Sequence, residues 1–462
     1  MTKYRIEQDS LGDMKVPVTA LYGAQTARAV ENFPISGIQL PRPMLRALGL
    51  IKKHAAQTNQ DLGLLSQDAA EAIRKAADEV IAGQLADQFP VDIFQTGSGT
   101  SSNMNLNEVI ANRAALILGQ TIGSKAIHPN DEVNLGQSSN DVFPSAIHIA
   151  CAEQLHKGLL PTLGQLQQQL TENAEKFKNV LKIGRTHLQD ATPVTLGQVF
   201  SGYARQVELA HERLSVSSSG LYELPLGGTA VGTGINTHPE FAAKTIAAIA
   251  RETCLPFREA MNHFEAQGAK DALVATSASL KNCAISLFKI ANDIRFLASG
   301  PRCGIGELIL PAVQPGSSIM PGKINPVMAE ALIQVCAQVV GNNATVALCG
   351  LSGNFELNVM MPVMAYNILQ SIELLDKAVA AFVGKGLAGL EADEQRCAEL
   401  LERSLALVTA LVPEIGYDRS AELAKQAHKT GRTLRDLALE DGIPAQRLDL
   451  LLDPASMTKP KS

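Results

Sequence analysis

The chain has 462 residues, with Lys+Arg 40 against Asp+Glu 46, a formal charge of −6, and 46% hydrophobic residues. This is a globular composition with enough length to bury a large core, which excludes the small scaffolds that need a disulfide or metal staple. Mild acidity without long basic runs argues against nucleic acid or an anionic membrane as a partner.

From the start, Met1–Asp9 carries acids and no apolar signal core, and no run of 18 or more apolar residues follows, so a cytoplasmic chain is expected. The seven cysteines are odd in number, widely spaced and set in apolar neighbourhoods such as Ile333–Ala337, a pattern of reduced core thiols. No C-x-x-C occurs and the nine histidines form no H-x-x-x-H pair, so neither a metal nor another cofactor is expected. Aromatics are only 4%, and Ala and Leu recur at helical spacing, which predicts a mainly α protein.

The first interruption of the helical pattern is Gln95–Asn105, whose glycines, hydroxyls and amides suit either a turn or an anion-binding nest. Ser138–Asp141 then predicts the start of a helix, with Pro144 in its first turn, a bend at Pro161 and an end towards Leu170. Gly184–Pro193 is the second polar segment. Its His187 reads either as a surface or capping histidine or as a general acid/base, because an imidazole titrates near neutrality. Helices are predicted over about 195–218 and 237–252.

The strongest periodicity follows in Leu273, Thr276, Leu280, Cys283, Leu287, Ile290, Ile294 and Leu297, in alternating steps of 3 and 4. Ala275, Ala278, Ile285, Phe288 and Ala291 make its other faces apolar too, which predicts a helix surrounded by partners and ended by Gly300-Pro301. The third polar segment, Pro315–Pro326, suits a structured connector or a loop that closes over a ligand. In it Ser317 and Ser318 offer oxygen bases, Lys323 a positive charge and Asn325 a donor. A helix over 326–350 is predicted with Asn325 as its cap and Pro326 at its first position, and shorter charged helices follow beyond about 390.

Taken together, these segments resemble a known family. Gly-Ser-Ser-Ile-Met-Pro-Gly-Lys-Ile-Asn-Pro at 316–326 resembles the signature of the fumarase/aspartase superfamily, and the likeness runs from Leu21–Thr26 through Gly227–Gly234 to the C-terminal tail. Four places are closest to the metal-free class II fumarases: Thr96–Thr100, His128–Asp131, Gln137–Asp141 and Ser352–Asn358. In aspartases these tend to read differently, with Gly-Gly-Ala-Gly-Thr at the first and Ser-Thr-Asn-Asp at the third.

The resemblance implies a mixed N-terminal domain over 1–136, a central bundle of long helices over 137–390 and a small helical C-terminal domain over 391–462. Four bundles would form a homotetramer core, with each active site shared by three chains. The implied reaction is reversible hydration of fumarate to (S)-malate through an aci-carboxylate intermediate, so the implied partner is a small dicarboxylate. Position by position, Ser317 resembles the catalytic base and His187 the histidine paired with a glutamate, here Glu330. Lys323, Asn325, Thr100, Ser138, Ser139, Asn140 and Thr186 match ligands of the substrate, with Ser98 and Ser318 beside them. An outer carboxylate site resembles His128, Asn130 and Asp131, with Lys125 where some relatives carry an arginine and its bidentate fork. Aspartate ammonia-lyase, larger-substrate lyases of the superfamily and a non-enzymatic helical scaffold are the alternative readings.

Overall fold

The computed structural model describes residues 3–460. The chain packs into two compact units, one formed by residues up to Pro161 with Glu212–Ala284 and Ala337–Asp376, the other by Thr162–His211, Ile285–Cys336 and Lys377 onward.

The first unit opens with an antiparallel hairpin, Tyr4–Asp9 on Gly12–Pro17, whose Met14 and Val16 are buried with Ala20, Ala24 and Ala27. Behind it the Arg42–Asp61 helix packs on the helices Gln67–Ala82, Ser139–Gln154 and Phe241–Thr253. The Ser139–Gln154 helix begins where the sequence predicts. Ser138 and Asp141 form a reciprocal capping box, which pairs backbone N–H groups that would otherwise lack partners. Pro144 lies past the first turn rather than within it, and its missing N–H removes one helical bond. Just ahead of Pro161 the helix carries a π turn over Leu155–Leu159, in which Leu160 N–H donates to Leu155 O. The helix then resumes as Leu160–Lys176.

Lys52 is wholly inside this unit. Lys52 Nζ donates to Asn134 Oδ1 at 2.8 Å and Gln137 Oε1 at 2.9 Å, and the amides of Asn103 and Asn107 donate to the same Asn134 oxygen. Asn59 Nδ2 adds a bond to Leu135 O, so the strip that leads into Ser138 is fixed from behind by buried polar groups. Burial pushes the Lys52 ammonium down to about 7, against the pull of Asp141. The folded chain therefore releases this proton from about pH 7, whereas the unfolded chain holds it to about pH 10. In that window the unfolded state binds more protons, so Lys52 makes stability rise with pH. Lys52→Met should flatten this rise in the midpoint of urea unfolding measured between pH 7 and pH 9.

In the second unit Leu181–Thr186 and Gln189–Thr195 form an antiparallel hairpin. Ile183, at its base, is buried among Leu401, Leu407, Leu411, Leu434 and Leu448 of the C-terminal helices. Leu308–Ile309 pairs with Glu391–Ala392, and the loop that holds Ser317 follows.

The long helix spans Asp271–Leu297, and its predicted stripe from Leu273 to Ile294 is buried, while Ile285 is 54% and Phe288 40% exposed. The helix predicted over 326–350 is Val327–Gly350. Here the capping expectation changes: Glu330 N–H bonds to Pro326 O, and Asn325 turns its amide towards Gly316 O in the preceding loop. By length and composition Val327–Gly350 could cross a membrane, yet Gln334, Gln338, Asn342 and Asn343 interrupt its apolar run.

Candidate active site

In the first unit two helix N-termini supply the donors. Gly99 precedes the Thr100–Ile117 helix at φ +76, and a Cβ there would fall 2.2 Å from the Phe143 ring, so glycine is required by both conformation and space. Thr100 thereby comes within 2.8 Å of Ser98 Oγ and 2.6 Å of Ser139 Oγ, a chain of three hydroxyls across the starts of the two helices. Helix N-termini favour anions, and hydroxyls can turn their protons towards a carboxylate.

Ser138 Oγ accepts from Asn140 N–H, and Asn140 Nδ2 donates to Ala230 O. Beneath them, fully buried Asp141 accepts from Gly227 N–H at 2.9 Å and Thr229 N–H at 3.0 Å, tying the Gly227–Ala230 turn to the helix start. Burial pushes the Asp141 carboxyl up, against three backbone donors and Lys52.

The four outer residues lie on one stretch of the first unit. Lys125, His128 and Asn130 line a cavity of about 730 Å³ that also touches Arg5, Glu7 and Glu108. Asp131 is not in the lining; its carboxylate is largely exposed, 3.1 Å from His128 Nδ1. Glu108 accepts three backbone N–H bonds, from Gly23, Gln25 and Thr26.

In the second unit, Thr186 ends one strand and His187 and Leu188 form the turn at φ +56 and +62, all three exposed. Ser317 is half-buried on the Pro315–Pro326 loop, and its Oγ accepts from Ile319 N–H at 3.2 Å and Met320 N–H at 2.9 Å. Gly316 N–H donates to Lys323 O, and Asn325 Nδ2 donates to Gly316 O at 2.6 Å, so the loop closes on its own backbone. Ser318 and Lys323 face solvent. Among the described residues no hydrogen bond or ion pair joins His187 to Glu330, which is half-buried.

Sequence reasoning missed Lys52, Asp141 and the pairing of Arg185 with Glu307. Asp141 carried a signal, since a Ser-x-x-Asp spacing is a capping box. Lys52 carried none, because a lysine beside Lys53 and His54 reads as a solvated helix face.

The chain matches the family described as "Lyase" over residues 12–341 and "Fumarase C C-terminus" over residues 407–459. It is 57% identical to a class II fumarate hydratase of Halobacterium salinarum, over 98% of this chain and 97% of that one. It is 52% identical to a class II fumarate hydratase of Nitrosomonas europaea, over 99% and 100%. The crystal structure of a recombinant class II fumarase from Schistosoma mansoni matches with a TM-score of 0.96 and 40% identity, covering 100% of both chains. These matches define a lyase of the fumarase/aspartase superfamily. Within it, the chain belongs to the class II fumarate hydratase family.

Proposed function

We propose that the chain catalyses the reversible, anti hydration of fumarate to (S)-malate, using its own side chains for both proton transfers. The observation that carries this reading is Ser317 Oγ, which accepts two backbone N–H bonds on the loop with the family signature. Such donors favour the charged form of an oxygen, so they lower the cost of a serine alkoxide.

In the malate-to-fumarate direction, the Ser317 alkoxide takes a proton from the carbon beside a carboxylate. The C–H electron pair moves into that carboxylate, giving an aci-carboxylate with two negative charges. Lys323, Asn325 and the hydroxyls of Ser98, Thr100, Ser138 and Ser139 hold the carboxylates, with Asn140, Thr186 and Ser318 beside them. The electron pair then returns to form the C=C bond as the C–O bond breaks, and His187 protonates the departing hydroxide to water. Glu330 orients His187. Glu330 lies on the helix that follows the Ser317 loop, so we assign it, with Ser317, to the His187 of another copy.

The proposed assembly is a cytoplasmic homotetramer whose sites each draw on three chains. Exposed apolar residues on the long helices, Ile285, Phe288, Val340 and Leu348, support such packing between copies. The three-part division at residues 136 and 390 belongs to the same reading, as does an outer carboxylate site at Lys125, His128, Asn130 and Asp131.

Ultraviolet absorbance of fumarate formed by the purified chain tests the function. L-malate should yield fumarate and L-aspartate should not. Release of ammonia from aspartate, or no turnover of either compound by the assembled protein, would overturn the assignment.

A further inference from the structure

The second unit holds a buried charge cluster that the proposed chemistry does not use. Glu307 is fully buried and accepts a two-pronged bond from Arg185, Nη1 to Oε2 at 3.0 Å and Nη2 to Oε1 at 2.9 Å. Lys182 Nζ lies 3.2 Å from the same carboxylate and also donates to Ile183 O. Burial pushes the Lys182 ammonium down, against the attraction of Glu307. A two-pronged guanidinium–carboxylate pair fixes direction as well as distance, and removal from water sharpens it.

The Glu307 end of this contact is anchored. Glu307 N–H donates to Leu297 O, and Glu307 O accepts from Asp393 N–H, so its backbone is held on both sides. Arg396 bonds to Gly304 O and Ile305 O just before it. Beyond Arg185 the tip is held only by the hairpin's own pairing, Arg185 with Asp190 and Thr186 with Gln189, and Thr186 to Asp190 are all exposed. On an unbroken strand Lys182 and Arg185 would point to opposite faces. The pairing register shifts between Ile183 and Arg185, and Gly184 comes so close to Thr192 O that a Cβ would fall 2.5 Å from it. A bulge of this kind increases local twist and re-aims side chains, and here both cations reach one carboxylate.

We infer that Arg185, clamped by Glu307, is the positioning residue for the Thr186–His187 turn. The inference rests on the proposed role of His187 and adds what holds that imidazole in place. The positive φ of His187 and Leu188 makes such a clamp necessary, since non-glycine residues keep that backbone only when their surroundings impose it. Arg185→Met leaves Lys182 paired one-to-one with Glu307, so the unit keeps a neutral buried pair and folds.

Two measurements test this. In Arg185→Met, amide hydrogen exchange should quicken at residues 186–190 and stay unchanged at 316–326, and turnover should fall about a hundredfold, the scale of a displacement of order 1 Å. Arg185→Lys, which keeps the charge but not the fork, should retain more of both. Unchanged exchange at 186–190 would overturn the inference whether or not sites are shared between chains.

The second measurement locates the defect by subunit mixing. Reassembled with Ser317→Ala, the Arg185→Met chain should recover about a quarter of the sites, because its serine loop is sound and its partner's turn is sound. Reassembled with His187→Asn, it should recover none. Recovery with His187→Asn, or no recovery with Ser317→Ala where a Ser317→Ala and His187→Asn mixture does recover, would contradict the inference. Failure of that last mixture alone would instead count against site sharing, and the exchange result would still decide the role of Arg185.

Discussion

Ser317→Ala should lower turnover by about two to four orders of magnitude, the range expected for loss of the proposed proton-transfer group, and should leave the fold and the proposed assembly intact. The hydroxyl is the only part of Ser317 that the substitution removes. Its loss frees the N–H groups of Ile319 and Met320, which are exposed and can bond to water instead. A hydrogen bond replaced by water costs about 0.5–1.5 kcal/mol, too little to unfold a chain of this size. Turnover and the urea midpoint measured on the same preparation separate the two effects. Near-normal turnover would remove Ser317 from the role of base.

His187→Asn should have an effect of similar size, and it is a clean deletion for a backbone reason. His187 sits at φ +56, a region that asparagine tolerates better than most residues, so the turn can keep its path while losing the imidazole. What disappears is the group proposed to protonate hydroxide on leaving, or to activate water in the reverse direction, worth about two to four orders of magnitude. Turnover in both directions is the measurement. Loss in one direction only would contradict a single group serving both.

Much of the fold is legible because long helices advertise themselves. The alternating spacing from Leu273 to Leu297 sets one face of a 27-residue helix, and its buried stripe follows that spacing. The site loops are legible as interruptions: glycine and hydroxyls at 95–105, a helix start at Ser138, and prolines and glycines at 315–326.

What escapes is set by tertiary contact. The π turn ahead of Pro161 is not announced by the sequence, although a widened turn there accommodates the missing N–H and the proline ring together. Asn325 looks like a cap by position, yet the nearby Gly316 carbonyl takes its amide. Lys52 and Arg185 look like solvated charges, and only the fold shows them reaching Asn134, Gln137 and Glu307. Long charged side chains at helical or strand spacing do not reveal whether a buried acceptor waits for them.

The central claim is that one catalytic site joins Ser317 of one chain to His187 of another. Ser317→Ala and His187→Asn, each inactive alone, are mixed in equal amounts, mildly unfolded and allowed to reassemble. Random exchange gives each site an intact serine with chance one half and an intact histidine with chance one half, so about a quarter of the sites should regain turnover. If one chain supplied both residues, no reassembled site could hold both intact, and persistent inactivity after verified subunit mixing would contradict the account.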